Sequence, residues 1–161
     1  MPTVRLCFSP APAHVRTARL VGVAVARRSG LADELLDEVR LAIGEACSRA
    51  VALHRRHHLR DMIEIVIAAD ERFTVTVTDR APIDAVLGAR LPDPAELPDP
   101  MALLDGAQQR HGATEAAEED VVVGMGFALL AGLVDDLSVR PAAVGAGTDV
   151  CMSWPISARR P

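Results

Sequence analysis

Hydrophobic and polar positions recur along this chain with two different periods. A period of two, typical of β-strands, occurs in Thr3–Phe8, Met62–Ala68 and Phe73–Thr78. Two other segments space their apolar residues by three and four, which places these residues on one helical face. These segments predict a helix over Ala13–Arg28 and a longer helix over about Ala32–His54.

The stretch from Arg80 to Asp120 follows neither period. LPDP occurs twice in it, at Leu91 and at Leu97, and glycines are scattered through it. A long Pro/Gly-rich stretch inside a small domain is typical of a functional loop or a disordered one. We predict a lid-like loop over residues 80–120, with a short helix around Met101–Gln109.

Regular patterning resumes after this loop. It predicts a helix over Val121–Val134 and a closing hairpin of two strands, Leu137–Arg140 and Asp149–Ile156, joined across Gly145-Ala146-Gly147. Helices on one face of a mixed, mainly antiparallel sheet bury such an order of elements. We therefore predict an α+β two-layer sandwich that forms a single domain over residues 1–161.

Composition and charge argue against some classes of partner and indicate where the protein is located. The net charge of −5 argues against a nucleic-acid partner. Three cysteines lie far apart without a CxxC pair, which suggests a reducing compartment. Met1–Pro12 lacks the pattern of a signal peptide, and the longest apolar stretch, Val121–Val134, is too short to span a membrane. We expect a cytoplasmic protein with no membrane partner.

The helix Leu36–Val51 carries the first candidate site residues. Glu45 and Arg49 are four positions apart, so their side chains lie on one face and can form an ion pair. If it is exposed, such an ion pair stabilises the protein by only about 0.3–0.5 kcal/mol. The small residues Ala42, Ala46 and Ala50 flank it, however, and let a large group approach the helix.

Two further candidates follow along the chain. Asp79 ends the strand Phe73–Thr78, where a carboxylate can accept a hydrogen bond from an exocyclic amine or simply form a turn. Gly124 and Gly126 open an apolar helix, where backbone N–H groups can approach a phosphate. Close helix packing explains the same glycines equally well.

Taken in order, these segments resemble the histidine-kinase-like (GHKL, Bergerat-fold) ATPases, and most of all their RsbW-type anti-sigma-factor serine kinases. Leu36–Val51 resembles the N-box helix of that family, and VTVTDRAP at Val75–Pro82 resembles its adenine-binding strand. GMGFALLAGLVDDLSV at Gly124–Val139 resembles its second glycine box, and GTDVCMSWPI at Gly147–Ile156 resembles its closing strand. The similarity spans nearly the whole chain and implies the Bergerat ATP-binding fold.

The resemblance also implies roles for individual residues. Glu45 corresponds to the acid that activates a hydroxyl or water, and Asp79 to the adenine-binding Asp. Gly124 and Gly126 correspond to the glycines of the triphosphate loop, and Thr148 to a Thr near the adenine.

The departure from the family lies at Arg49, which occupies the position of the Asn that holds Mg²⁺. A guanidinium has only donors and stays charged, so it cannot serve as a metal ligand. Arg49 can instead pair with Glu45 or contact a phosphate. We expect binding of ATP or ADP to be weak or lost, and Mg²⁺ not to be held by the usual ligand.

Three functions follow as hypotheses. The first is an anti-sigma-like regulator that sequesters a transcription factor and is released by an antagonist protein. The second is an active ATP-dependent protein serine kinase that phosphorylates this anti-sigma factor antagonist, with Glu45 in the catalytic role. The third is a sensor whose loop closes over another small ligand. The partners implied by the resemblance are a sigma factor and its antagonist, and family members commonly form homodimers.

His54, His57 and His58 at the end of the second helix allow a metal-site interpretation. Arg55, Arg56 and Arg60 are interleaved with them, so a cationic helix end that suits the helix dipole is the preferred interpretation. We therefore assign no metal site.

Overall fold

The computed structural model describes residues 3–82, 127 and 129–156. Five strands, β1 (Thr3–Phe8), β2 (Ile63–Ala69), β3 (Arg72–Thr78), β4 (Asp136–Pro141) and β5 (Thr148–Pro155), form one sheet in the order β1-β2-β3-β5-β4. All four pairings between these strands are antiparallel. The predicted α+β sheet is thus confirmed, and its pairings in the described residues are antiparallel throughout.

Helices α1 (Pro12–Arg28) and α2 (Leu36–Arg56) pack against each other and against one face of the sheet. α1 begins at Pro12, one residue before the predicted start, because proline suits the first helical position, where its missing N–H costs nothing. α2 is preceded by a turn of 3₁₀ helix at Asp33–Leu35. The predicted long helix is therefore present, with a tighter first turn and two further residues at its end.

The core lies between α1, α2 and the inner face of the sheet. Alternate residues of the central strands point into it, as the period of two predicts. On the sheet these are Ile63, Ile65 and Ile67 of β2 and Phe73, Val75 and Val77 of β3. Because the facing stripe of α2 is rich in alanine, the helix can lie close to the sheet and carry its polar side chains towards the ends of the strands.

The C-terminal part of the chain joins the same core. Phe127 and residues 129–133 are helical, within the predicted helix. The indole N–H of the fully buried Trp154 donates to the backbone carbonyl of Leu133 at 3.0 Å, which ties this helix to β5. The predicted short helix at 101–109 and residues 83–120 of the predicted loop lie outside the described residues. No helix within the described ranges is long and apolar enough to cross a membrane.

Candidate functional site

The candidate site lies where α2 passes the C-terminal end of β3. α2 carries the partly exposed Glu45 and the largely buried Arg49 on the side flanked by buried alanines, and Asp79 follows β3 directly. The pairing of Thr78 with Asp149 places the start of β5 beside Asp79. The fold thus brings together three elements that are distant in sequence.

Asp79 forms hydrogen bonds with three other residues. Its backbone N–H donates to the carbonyl of Thr148 at 3.1 Å. Its side chain, only 1% exposed, accepts a hydrogen bond from the N–H of Ala81 on Oδ1 at 3.0 Å. Its other oxygen, Oδ2, accepts from Nη1 of Arg49, also at 3.0 Å. Both carboxylate oxygens therefore already accept a hydrogen bond from the protein.

Arg49 crosses from α2 to reach Asp79 and is itself largely buried. Its side chain is 11% exposed, and its Cζ lies 4.6 Å from the centre of the Phe127 ring, a cation–π distance. Burial lowers the pKa of the guanidinium, and the charge and hydrogen bond of Asp79 oppose that shift. Among the described residues, the buried Nε atom of Arg49 has no hydrogen-bond partner. Arg49 thus joins α2, the end of β3 and the helix around Phe127.

This arrangement corrects one sequence-based interpretation. Arg49 does not pair with Glu45, since no ion pair joins them among the described residues, and its partner is Asp79 instead. The i,i+4 spacing allows the local pair, but a buried carboxylate binds a guanidinium more strongly than a carboxylate in contact with water. Glu45 is partly exposed. Its carboxylate makes no hydrogen bond or ion pair within the described part of the chain.

The structure therefore brings together three of the six predicted site residues, Arg49, Asp79 and Thr148. Thr148 contributes its backbone carbonyl and is buried at the start of β5. Glu45 lies one turn away from Arg49 on α2. Gly124 and Gly126 lie outside the described residues. Phe127 was not singled out from the sequence, although it follows the glycine pair directly.

The turn between β4 and β5 packs against Asp79 and limits its backbone position. Gly147 has φ of +121°, and a Cβ atom there would lie 1.9 Å from the carbonyl oxygen of Asp79. The guanidinium of Arg80 donates to the carbonyl of Val144 in the same turn. The sequence identified this turn as a hairpin connection, and the structure adds that it fixes the backbone next to the site.

His54 has a role that neither sequence interpretation anticipated. It is fully buried, and its Nε2 accepts a hydrogen bond from the backbone N–H of Arg80 at 2.8 Å. Its Nδ1 lies 3.2 Å from the carbonyl oxygen of Asp61. Among the residues that the structure describes, no cluster of three or more side chains could hold a metal ion. The sequence did carry a signal, because His54 continues the buried stripe of Ile43, Cys47 and Ala50 on α2.

The cysteines play no part in this site. Cys47 is buried in the core, and burial raises the pKa of its thiol to about 12, which Arg19 partly opposes. Its thiol therefore stays protonated and packs as a small apolar group. All three cysteines are free.

The fold and the position of the site define a class of protein, and sequence comparison identifies the family. The family model described as the histidine kinase-like ATPase domain matches residues 8–154. The chain belongs to this family, which confirms the resemblance inferred from its motifs.

A structural relative supports the fold. The chain is similar to a chain in the crystal structure of the SiaB-SiaC complex from Pseudomonas aeruginosa, with a TM-score of 0.55 and 12% sequence identity. The match covers 92% of this chain and 88% of the other. At this identity the similarity shows a shared fold alone. A comparison with curated proteins gives no match.

Proposed function

We propose that this protein is a partner-switching regulator that sequesters a transcription factor and has a degenerate nucleotide site. The observation that carries the proposal is the buried ion pair between Arg49 and Asp79. In the family, the position of Asp79 binds adenine and that of Arg49 holds the metal through an Asn. Here these two residues bind each other, so neither is available for its family role.

The energetics of this pair favour weak nucleotide binding. An adenine amine that took the place of the guanidinium on Asp79 would break a buried ion pair, which costs about 3–5 kcal/mol. Since 1.4 kcal/mol corresponds to a factor of ten in affinity, the penalty is roughly a hundredfold or more. A guanidinium also offers no lone pair to Mg²⁺ and repels it. The residues present therefore fit ATP and its metal poorly.

The partners follow from the fold and the resemblance. The structural relative was crystallised as a complex of SiaB with SiaC, which supports a protein partner for a domain of this shape. For this chain we propose a sigma factor and an anti-sigma factor antagonist as partners in the cytoplasm, with a homodimer as the assembly. The negative net charge supports protein partners over nucleic acid.

The alternative function is an active protein serine kinase acting on the antagonist. One observation favours it: Glu45 stays partly exposed on α2 beside the site, with no hydrogen bond or ion pair in the described residues to occupy its carboxylate. A partly exposed carboxylate that is not engaged in a hydrogen bond or ion pair can accept a proton from a serine hydroxyl. This alternative requires that Arg49 leave Asp79 or contact a phosphate directly.

Nucleotide binding is the first test. We expect wild-type protein to bind ATP weakly, with no increase on adding Mg²⁺, and Arg49→Asn to bind at least about tenfold more tightly in the presence of Mg²⁺. Titration calorimetry measures the affinities. ATP should also raise the Tm of the Arg49→Asn variant and leave that of the wild type unchanged, since ligands stabilise the state that they bind.

Arg40→Asn is the matched control, because Arg40 lies on the same helix but is exposed and pairs with Asp37. It should bind ATP as the wild type does, and circular dichroism verifies that each variant is folded. Tight, Mg²⁺-dependent ATP binding by the wild type would refute the degenerate site.

A second test separates sequestration from catalysis. A pull-down with the candidate sigma factor should recover it without added nucleotide, because the proposed complex does not depend on ATP. In parallel, labelled ATP and the candidate antagonist should give no phosphate transfer with wild-type protein. Phosphate transfer that is abolished in Glu45→Ala would instead establish the kinase.

A further inference from the structure

The strand β4 lies at one edge of the sheet. In the part of the chain that the structure describes, β4 pairs with β5 alone. The Ala142 N–H donates to the Gly147 carbonyl at 3.0 Å, in the same register as the rest of this pairing. Because the direction of the backbone N–H and C=O groups alternates along a strand, those of Leu137, Val139 and Pro141 point away from β5, to the outer edge.

The side chains of β4 form a pattern that is complementary to itself. Asp136, Ser138 and Arg140 are exposed, and the acid and the base lie at equal distances on either side of the serine. Leu137 and Val139 alternate with them and pack in the core or against it. An antiparallel copy of the strand, centred on Ser138, therefore places Asp136 opposite Arg140 of the second copy. On the other face it places Leu137 opposite Val139.

We propose that two copies of this chain pair through β4, so that their two five-stranded sheets join into one. The interface is two-fold and uses the same surface of both copies. Leu137 and Val139 of opposite copies exchange backbone hydrogen bonds, because both already direct these groups outwards. Pro141 has no N–H and ends the pairing at a position where β5 needs no donor. The proposal rests on the homodimer of the proposed function and names its surface.

Charge selects this register from the others that the backbone allows. Hydrogen bonds form only where outward-facing residues lie opposite each other, so the alternatives are shifts by two residues. Such a shift places either Asp136 or Arg140 opposite Ser138 and leaves the other charge without an opposite charge. Opposite charges directly across an antiparallel pair stabilise it, and like charges destabilise it. Charges on an edge strand commonly prevent pairing, but here each charge meets its opposite in the second copy.

Exposed apolar side chains lie beyond both ends of β4. Leu129, which is 40% exposed, belongs to the helical segment before β4, and Val144, which is 77% exposed, belongs to the turn after it. In a two-fold antiparallel pair, the end of each strand lies beside the start of the other. The turn with Val144 therefore extends towards the helical segment with Leu129 in the second copy. Apolar surface that is now in contact with water can be buried there, which favours association.

The first test is the oligomeric state of the full chain, measured by sedimentation equilibrium at several concentrations. We expect the wild type to form a dimer. Asp136→Arg should raise the dissociation constant of the dimer at least about tenfold, because it puts like charges opposite each other twice. Asp70→Arg is the matched control, since it makes the same change of charge at an exposed residue between β2 and β3. It should form dimers as the wild type does, and circular dichroism verifies that each variant is folded.

A second charge reversal provides a rescue. Arg140→Asp alone should also be monomeric. An equal mixture of Asp136→Arg and Arg140→Asp should form a heterodimer, because each introduced charge then faces an opposite charge in the other copy. Arg140 lies 4.0 Å from the carboxylate of Asp149, so Arg140→Asp also puts two acids close together within one copy. If this variant does not fold, the comparison of Asp136→Arg with Asp70→Arg decides.

Cysteine cross-linking measures the register. Ser138 meets its own copy at the two-fold axis, where the Cα atoms are about 4.5 Å apart and a disulfide can form. Cys7 and Cys151, which are not buried, are first replaced by serine. In this background, Ser138→Cys should give a covalent dimer on oxidation, seen on a non-reducing gel. Arg140→Cys should not, because position 140 of the second copy lies about 13 Å away along the strands.

Two results would overturn the proposal. If the wild type stays monomeric at all concentrations, Asp136 and Arg140 protect the edge from pairing, and the homodimer of the proposed function falls as well. If Asp136→Arg still forms the dimer and Ser138→Cys does not cross-link it, the contact lies elsewhere and the homodimer stands. Sequestration and nucleotide binding are measured separately, so neither result decides them.

Discussion

Replacing Asp79 with Asn is expected to destabilise the protein by about 3–5 kcal/mol, because the buried guanidinium of Arg49 then loses its counter-ion. The asparagine retains an oxygen for the Ala81 N–H, so the change acts mainly on the charge. Its amide group can also face Arg49 as a second donor. Urea denaturation measures the loss through the midpoint of unfolding.

The same helix provides the control for this prediction. Arg40 and Asp37 form an ion pair at 3.2 Å, but their side chains are 52% and 82% exposed. Asp37→Asn should therefore cost less than about 0.5 kcal/mol. Adding Arg49→Met to the Asp79→Asn variant should restore much of the stability, because methionine packs against Phe127 without a charge. If Asp79→Asn and Asp37→Asn lowered the free energy of unfolding by the same amount, the result would contradict a stabilising buried ion pair between Arg49 and Asp79.

Gly147→Ala should have an effect of similar size, about 4 kcal/mol or more, or prevent folding. A methyl group at this position would lie 1.9 Å from the carbonyl oxygen and 2.7 Å from the carbonyl carbon of Asp79, and 2.9 Å from Cα of Arg80. These are backbone atoms, so no side-chain rotation relieves the overlap. The positive φ adds backbone strain. Thermal unfolding followed by circular dichroism measures the loss.

Gly145→Ala is the matched control two residues earlier in the same turn. Gly145 also has a positive φ, of +76°, but the nearest atom to an added Cβ is Nη1 of Arg80 at 4.0 Å. Only the backbone strain should then remain, about 1–2 kcal/mol. If both alanines cost the same, the close contact between the turn and Asp79 would not be the reason that glycine is needed.

Local patterns predicted the elements of this fold well. The alternation of Ile63, Ile65 and Ile67 gave β2, because one face of that strand is buried and the other is not. The predicted start of α1, at Ala13, was one residue late, because the spacing of apolar residues does not show that proline suits the first helical position. The strand order was not predicted, because the pairing of β3 with β5 depends on contacts between distant parts of the chain.

The site was only partly predictable for the same physical reason. The spacing of Glu45 and Arg49 placed both on α2, and the resemblance selected Asp79. The i,i+4 rule could not reveal that Arg49 would prefer a carboxylate 30 positions away, because burial decides between the two acids. His54 was interpreted from its charged neighbours in sequence, whereas its environment is set by Asp61 and Arg80 in space.

The order of the strands has a consequence for how fast the chain folds. The α1–α2 pair and the β2–β3 and β4–β5 hairpins join near neighbours in sequence. Two pairings do not: Phe8 meets Ile63 across both helices, and Thr78 meets Asp149, 71 positions further along. Closing long loops costs chain entropy before any contact compensates for it, and folding rates fall as such pairings dominate. We therefore expect the local units to form early and β5 to join the sheet in the slow step.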